Sequence, residues 1–137
     1  MTQNATEARR EVSARSWVLV LPGEIAEVAR AREFARRAPA LDDDEAETVA
    51  LLVSELVTNS IEHSRSGSPG GRVVVVALAL APGLRVEVHD EGGEGLPALS
   101  AADDLATSGR GLQLVDALSR SWGFSASETG TTTWFAL

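Results

Sequence analysis

Glu55 and Asn59 stand four residues apart in Glu55-Leu56-Val57-Thr58-Asn59, inside a stretch whose other residues are mostly apolar. On an α-helix this spacing sets a carboxylate and an amide about one turn, or roughly 6 Å, apart on the same face. A carboxylate can take a proton, and an amide oxygen suits a hard cation. The pair therefore fits chemistry on a magnesium-bound phosphate, provided that glycine-rich backbone lies opposite. Two segments could supply that backbone: Asp90-Glu91-Gly92-Gly93-Glu94-Gly95 and Ser108-Gly109-Arg110-Gly111-Leu112. Buried without partners, each polar group would cost about 1 to 3 kcal/mol, so both need a ligand, a protein partner or water. A helix whose polar edge simply touches solvent accounts equally for the two residues taken alone.

Asp90 ends an alternating run and precedes Gly92, Gly93 and Gly95. An aspartate there can accept from the amino group of an adenine ring, and glycine lets the ring come close to the backbone. A turn leaving a hairpin would use the same residues. Gly109 and Gly111 precede Leu112-Gln113-Leu114-Val115, so they can open a helix whose first N–H groups face phosphate, with Arg110 beside them. A plain glycine-bearing helix entrance is the alternative. The phosphate loop G-x-x-x-x-G-K-[ST] is excluded, because the chain has no lysine.

The elements that must position these residues are readable from periodicity. Residues 1–14 read as a flexible arm and 15–137 as one domain. Ser16 to Leu21 reads as a strand stopped by Pro22-Gly23. A helix is predicted from Glu24 to Arg37 with Ile25, Val28, Ala29, Arg32 and Ala35 in its stripe and Phe34 alongside. Asp42-Asp43-Asp44-Glu45 supplies the cap and acidic first turn of a second, buried helix running to His63. Arg72 to Leu80 and Leu84 to Asp90 form a predicted antiparallel hairpin, with Leu84, Val86 and Val88 inward and Arg85, Glu87 and His89 outward. Gly92 to Thr107 reads as a loop, a helix resumes near Gly111, and two strands follow near 121–127 and 131–137. This order gives an α/β two-layer sandwich: a mixed, mainly antiparallel sheet with helices on one face.

Composition narrows the function. The 137 residues suffice for one core without staples, and the absence of cysteine excludes disulfides and thiolate chemistry. Twelve basic residues, all arginine, against twenty acidic ones give a net charge of −8, which opposes a nonspecific grip on nucleic acid. No apolar run is long enough to span a bilayer as a helix, and the polar start carries no export signal, so a cytoplasmic protein is expected. Two histidines without cysteine make a poor zinc set. The tryptophans and phenylalanines, unaccompanied by a basic groove, favour packing over base stacking.

In order, E-L-V-T-N-S-I-E-H-S at 55–64, V-H-D-E-G-G-E-G at 88–95, S-G-R-G-L-Q-L-V at 108–115 and G-T-T-T-W-F-A-L at 130–137 resemble the motifs of the GHKL ATPase superfamily. The resemblance covers about residues 15 to 137 and is closest to the anti-sigma-factor serine kinases of the SpoIIAB/RsbW type and their actinobacterial relatives. It implies a Bergerat-type ATP-binding fold, commonly dimeric, with ATP and Mg²⁺ as cofactors. It also implies Glu55 as catalytic base, Asn59 as magnesium ligand, Asp90 as adenine reader and Gly92 as a glycine of the adenine-side box. Gly109, Arg110 and Gly111 resemble the turn that ends the ATP lid, and Thr132 or Thr133 the last-box threonine near the aspartate. The implied partners are a sigma factor and an anti-anti-sigma protein of the STAS type, whose serine would be phosphorylated. A homodimer through the strand Trp17-Val18-Leu19-Val20 and its adjacent helix is expected as well. The sequence departs from the family pattern in carrying Glu94 where a glycine is usual, and in a short lid, about Leu96 to Ser108, with no basic residue. A catalytically silent, nucleotide-gated protein-binding regulator and a plain scaffold stay open beside the kinase.

Overall fold

The computed structural model describes residues 15–39, 41–80, 83–93 and 110–137. The arm expected over 1–14, Glu94, the lid and Gly109 lie outside the described residues. Five strands form one sheet in the order β1-β2-β3-β5-β4: β1 (Ser16–Pro22), β2 (Arg72–Ala79), β3 (Leu84–Asp90), β4 (Ser121–Ala126) and β5 (Thr131–Ala136). All four pairings are antiparallel, so among the described residues the sheet has no parallel component. The helices are α1 (Val28–Arg36), α2 (Asp43–His63) and α3 (Arg110–Leu118). The two-layer sandwich expected from the sequence is the fold observed.

Alternation decides which side chains meet the helices. Val73, Val75 and Ala77 of β2, Leu84, Val86 and Val88 of β3, and Phe135 of β5 are buried on one face. Against them α2 packs Val49, Leu52, Val53, Leu56, Val57 and Ile61, making it the chief contributor of the helical layer to the core. Among the described residues the other face carries no helix. There Val18 and Val20 of the edge strand are 60% and 49% exposed.

Helix α2 starts where its cap dictates. The Asp42 carboxylate accepts from the Glu45 N–H at 2.8 Å, and the Glu45 carboxylate accepts from the Asp42 N–H at 3.0 Å. This capping box satisfies two backbone donors at once. Arg36 of α1 binds both oxygens of Glu47, at 2.9 and 3.3 Å, and so ties the two helices together at the surface.

The first helix differs from its prediction. Residues Ile25–Glu27 form a 3₁₀ turn, and the α-helix begins only at Val28. The tighter turn puts Ile25 out of phase with the helix that follows, in which Val28 and Ala35 keep their expected places and Ala31 is buried instead of Ala29. The buried residues are Val28, Ala31 and Ala35, whereas Ile25 is 55% exposed and Ala29 also faces solvent.

Two substitutions measure these contributions. Asp42→Ala should lower unfolding free energy by about 1 kcal/mol through loss of the cap. Leu52→Ala should lower it by about 2 to 5 kcal/mol through the cavity left under α2. Urea titration checks both, and the cap variant should keep its transition slope.

Candidate functional site

Glu55, Asn59 and His63 follow one another at four-residue intervals along α2, spanning about 12 Å of helix. Glu55 and Asn59 are half-buried, beside Leu52, Leu56 and Ser60, which are buried. The polar pair thus lies on the margin of the buried face, where a side chain can leave the helix without being sealed in the core. A glycine marks each end of this edge. A Cβ at Gly111 would stand 3.4 Å from the Glu55 Cβ, and one at Gly93 would stand 3.1 Å from the His63 carbonyl oxygen. The two segments flanking residues 94–109 therefore meet opposite ends of one helix edge.

Asp90 is the last residue of β3 and shares the helix-facing register of Leu84, Val86 and Val88. Its Oδ1 accepts from the Gly92 N–H at 2.8 Å. Gly92 has φ 73°, a conformation that favours glycine. Among the described residues nothing hydrogen-bonds the second carboxylate oxygen, so it can accept from a ligand. Gly130, which precedes β5, is pressed against this turn: a Cβ there would sit 2.2 Å from the Asp90 carbonyl oxygen. The Arg65 N–H donates to the Gly92 carbonyl at 2.6 Å, fastening the turn to the chain just beyond α2.

The three threonines of β5 separate by register. Thr131 stands opposite Asp90 and is buried, and Thr133 stands opposite Val88 on the same face. Thr132 stands opposite His89 on the outer face, and its hydroxyl bonds His89 Nδ1 at 2.9 Å. A carboxylate can only accept, so Nε2 donates in the 3.0 Å contact with Glu87, and the His89 ring bridges Glu87 and Thr132 along the outer face. Arg85 extends the same row, bonding Glu87 at 3.0 Å and lying 4.2 Å from the centre of the Trp134 ring.

The structure accordingly sets Gly111 of α3 against Glu55, one turn from Asn59 on α2, with Asp90 and Gly92 at the end of a strand that α2 packs upon. Thr133 shares the inner face, whereas two-residue alternation carries Thr132 to the opposite one. Arg110 opens α3, and its side chain lies outside the described residues, as does Gly109. Gly130 and Thr131 open the motif at 130–137 without being assigned a role in it, and Ser66, which bonds the Glu91 N–H, lies in none of the motifs. Counting alternation back from Phe135 would have found Thr131. The other two act through contacts distant in sequence.

The donor set suits a hard cation only in part. Asn59 and Glu55 offer oxygen, but no cluster of three or more His, Asp or Glu side chains that could hold a metal exists among the described residues. A magnesium ion would thus depend on phosphate and water for most of its ligands, as this ion commonly does at nucleotides.

The site thus combines a half-buried carboxylate and amide on one edge of α2 with an aspartate at the inner-facing end of β3, on an antiparallel two-layer sandwich. Residues 21–137 match the model of the histidine kinase-like ATPase domain, and the chain belongs to that family. Among solved structures it is similar to the RsbU and RsbW domains of Rv1364c from Mycobacterium tuberculosis, with a TM-score of 0.65 and 23% identity over 88% of this chain and 31% of that one. The chain thus spans about a third of that protein's solved length, and the likeness is one of fold. The curated proteins include no match. No described helix is long and apolar enough to cross a membrane.

The contact between Gly130 and the Asp90 carbonyl gives a prediction. Gly130→Ala should destabilise the fold by about 1 to 3 kcal/mol, since backbone on both sides must shift. Gly111→Ala, whose new methyl would meet the Glu55 Cβ at 3.4 Å and the Glu55 backbone at 3.7 and 3.8 Å, all ordinary contacts, should cost less. Thermal unfolding of the two variants side by side checks the order.

Proposed function

We propose that this chain is a regulatory protein-serine kinase: it transfers the γ-phosphoryl group of ATP to a serine of a small anti-anti-sigma (STAS-type) protein, and holds a sigma factor as its mutually exclusive alternative. The observation that carries the reading is the Glu55–Asn59 edge of α2, with Gly111 of α3 packed upon Glu55. Membership of an ATPase family supports nucleotide binding, and the RsbW domain in the similar structure supports the regulatory class.

In this reading Asp90 accepts from the adenine amino group and the turn at Gly92 admits the ring. Asn59 contributes an oxygen to the metal, with Gly109, Arg110 and Gly111 near the phosphates and Thr133 on the Asp90 face. Bound Mg²⁺ would neutralise phosphate charge. Glu55 accepts the proton of the attacking serine hydroxyl; the new oxygen–phosphorus bond forms as the bond to ADP breaks. Water would use the same base, so a docked partner must supply the serine and exclude solvent. Glu94, an acidic residue within the glycine segment, favours the second reading, a catalytically silent nucleotide-gated regulator. The exposed Val18, Val20 and Trp17 of edge strand β1 support a homodimer through that strand and its neighbouring helix.

Incubation with labelled ATP and candidate STAS-type partners, followed by location of the label, tests the kinase. Glu55→Gln should reduce transfer by at least about 100-fold while sparing MgATP binding, the range expected for loss of a general base. Asn59→Ala should lose both. Undiminished transfer by Glu55→Gln removes it as the base, and MgATP binding without transfer to any partner favours the silent regulator. Calorimetry should show Asp90→Asn weakening MgATP more than MgGTP; equal losses exclude the adenine role. Sedimentation at micromolar protein should give a dimer.

A further inference from the structure

Between the two halves of the candidate site runs a path of serine hydrogen bonds. The Ser64 hydroxyl donates to the Ser60 carbonyl at 2.6 Å, next to Asn59 in sequence. Ser64 Oγ accepts from the Ser66 N–H at 3.0 Å, and Ser66 Oγ accepts from the Glu91 N–H at 2.9 Å, next to Asp90. The path therefore begins one residue from the amide on α2 and ends one residue from the carboxylate on β3.

Ser66 is the enclosed member of this path, with 0% of its surface exposed. A Cβ at Gly23 or Gly71 would stand 1.6 or 2.2 Å from the Ser66 carbonyl oxygen, so the chain leaving β1 and the chain entering β2 both close upon it. The Glu91 carboxylate adds a second tie by accepting from the Arg72 N–H at 2.7 Å. A residue held from two sides has little freedom to follow Asp90 if the strand end moves. It acts instead as a fixed point against which the strand end is set.

We infer that Ser66 is a positioning residue for base recognition: through the Glu91 N–H it holds Asp90 in register with the Glu55–Asn59 edge of α2, and so sets the preference for adenine. The inference rests on the reading of Asp90 as the adenine acceptor. Phosphate recognition, which belongs to the α2 edge and the start of α3, does not pass through Ser66.

Calorimetry with MgATP, MgGTP and magnesium tripolyphosphate, on the full chain and on Ser66→Ala, separates these effects. The variant should bind MgATP about tenfold more weakly, the size of one lost hydrogen bond, and bind the other two unchanged. In the Asp90→Asn background the same substitution should cause no further loss of MgATP affinity, because the group it positions is gone. If Ser66→Ala weakens all three ligands equally, or if its loss adds to that of Asp90→Asn, the serine acts on general stability and the inference is overturned. Should Ser66→Ala fail to fold, Ser64→Ala breaks the path at its half-buried cap and is read by the same cycle. If the unsubstituted chain itself fails to prefer MgATP over MgGTP, the adenine role of Asp90 falls and takes this inference with it. If the chain discriminates and the serine variant discriminates equally well, the serine role alone falls.

Discussion

The rest of the structure depends on how α2 divides its circumference. One side supplies most of the helical share of the core, packing Leu52, Val53, Leu56 and Val57 against the sheet. A helix so deeply committed can spare only the margins of that face for polar groups, and Glu55 and Asn59 occupy one of them. Their position is therefore set by the same packing that stabilises the fold. A shift of α2 that loosened the core would move the carboxylate and the amide with it, which couples the precision of the candidate site to the stability of the domain.

The second requirement is that backbone approach this edge closely from elsewhere in the chain. Gly93 meets the end of the helix, and Gly130 meets the Asp90 carbonyl, at distances that leave little or no room for a side chain. In each case the missing Cβ sets how near two segments stand. These glycines act as spacers of minimal thickness between elements that are far apart in sequence.

Much of this was legible beforehand because it depends on local rules. The acidic run at Asp42–Glu45 marked the start of α2 through capping chemistry, and the alternation of Leu84, Val86 and Val88 placed Asp90 on the inner face. The Glu55–Asn59 spacing needed nothing but helical geometry. What escaped depended on phase or on distant contacts. The 3₁₀ turn at Ile25–Glu27 took Ile25 out of the expected stripe, whereas Val28 and Ala35 kept their buried places. Three consecutive threonines look alike until strand pairing shows that Thr131 faces Asp90 and Thr132 faces His89. Ser66 sits in a turn rich in serine, glycine and proline, and its burial depends on Gly23 and Glu91, tens of residues away.

The sheet order has a consequence for how the chain assembles. Strands β3 and β5 are hydrogen-bonded neighbours, yet residues 91 to 130 lie between Asp90 and Thr131, and α3 and β4 are threaded through that excursion. The β1–β2 pairing likewise brackets both α1 and α2, so only the hairpins β2–β3 and β4–β5 are local. Folding must therefore bring two hairpins together across a long separation, which makes the β3–β5 seam a slow, entropy-limited step. Once closed, that seam tolerates changes in the length of the chain it spans, since doubling a flexible loop adds only about 0.6 kcal/mol to the cost of closure. Evolution can thus lengthen or shorten the chain between Asp90 and Thr131 at little energetic cost, while the two paired strands keep their register.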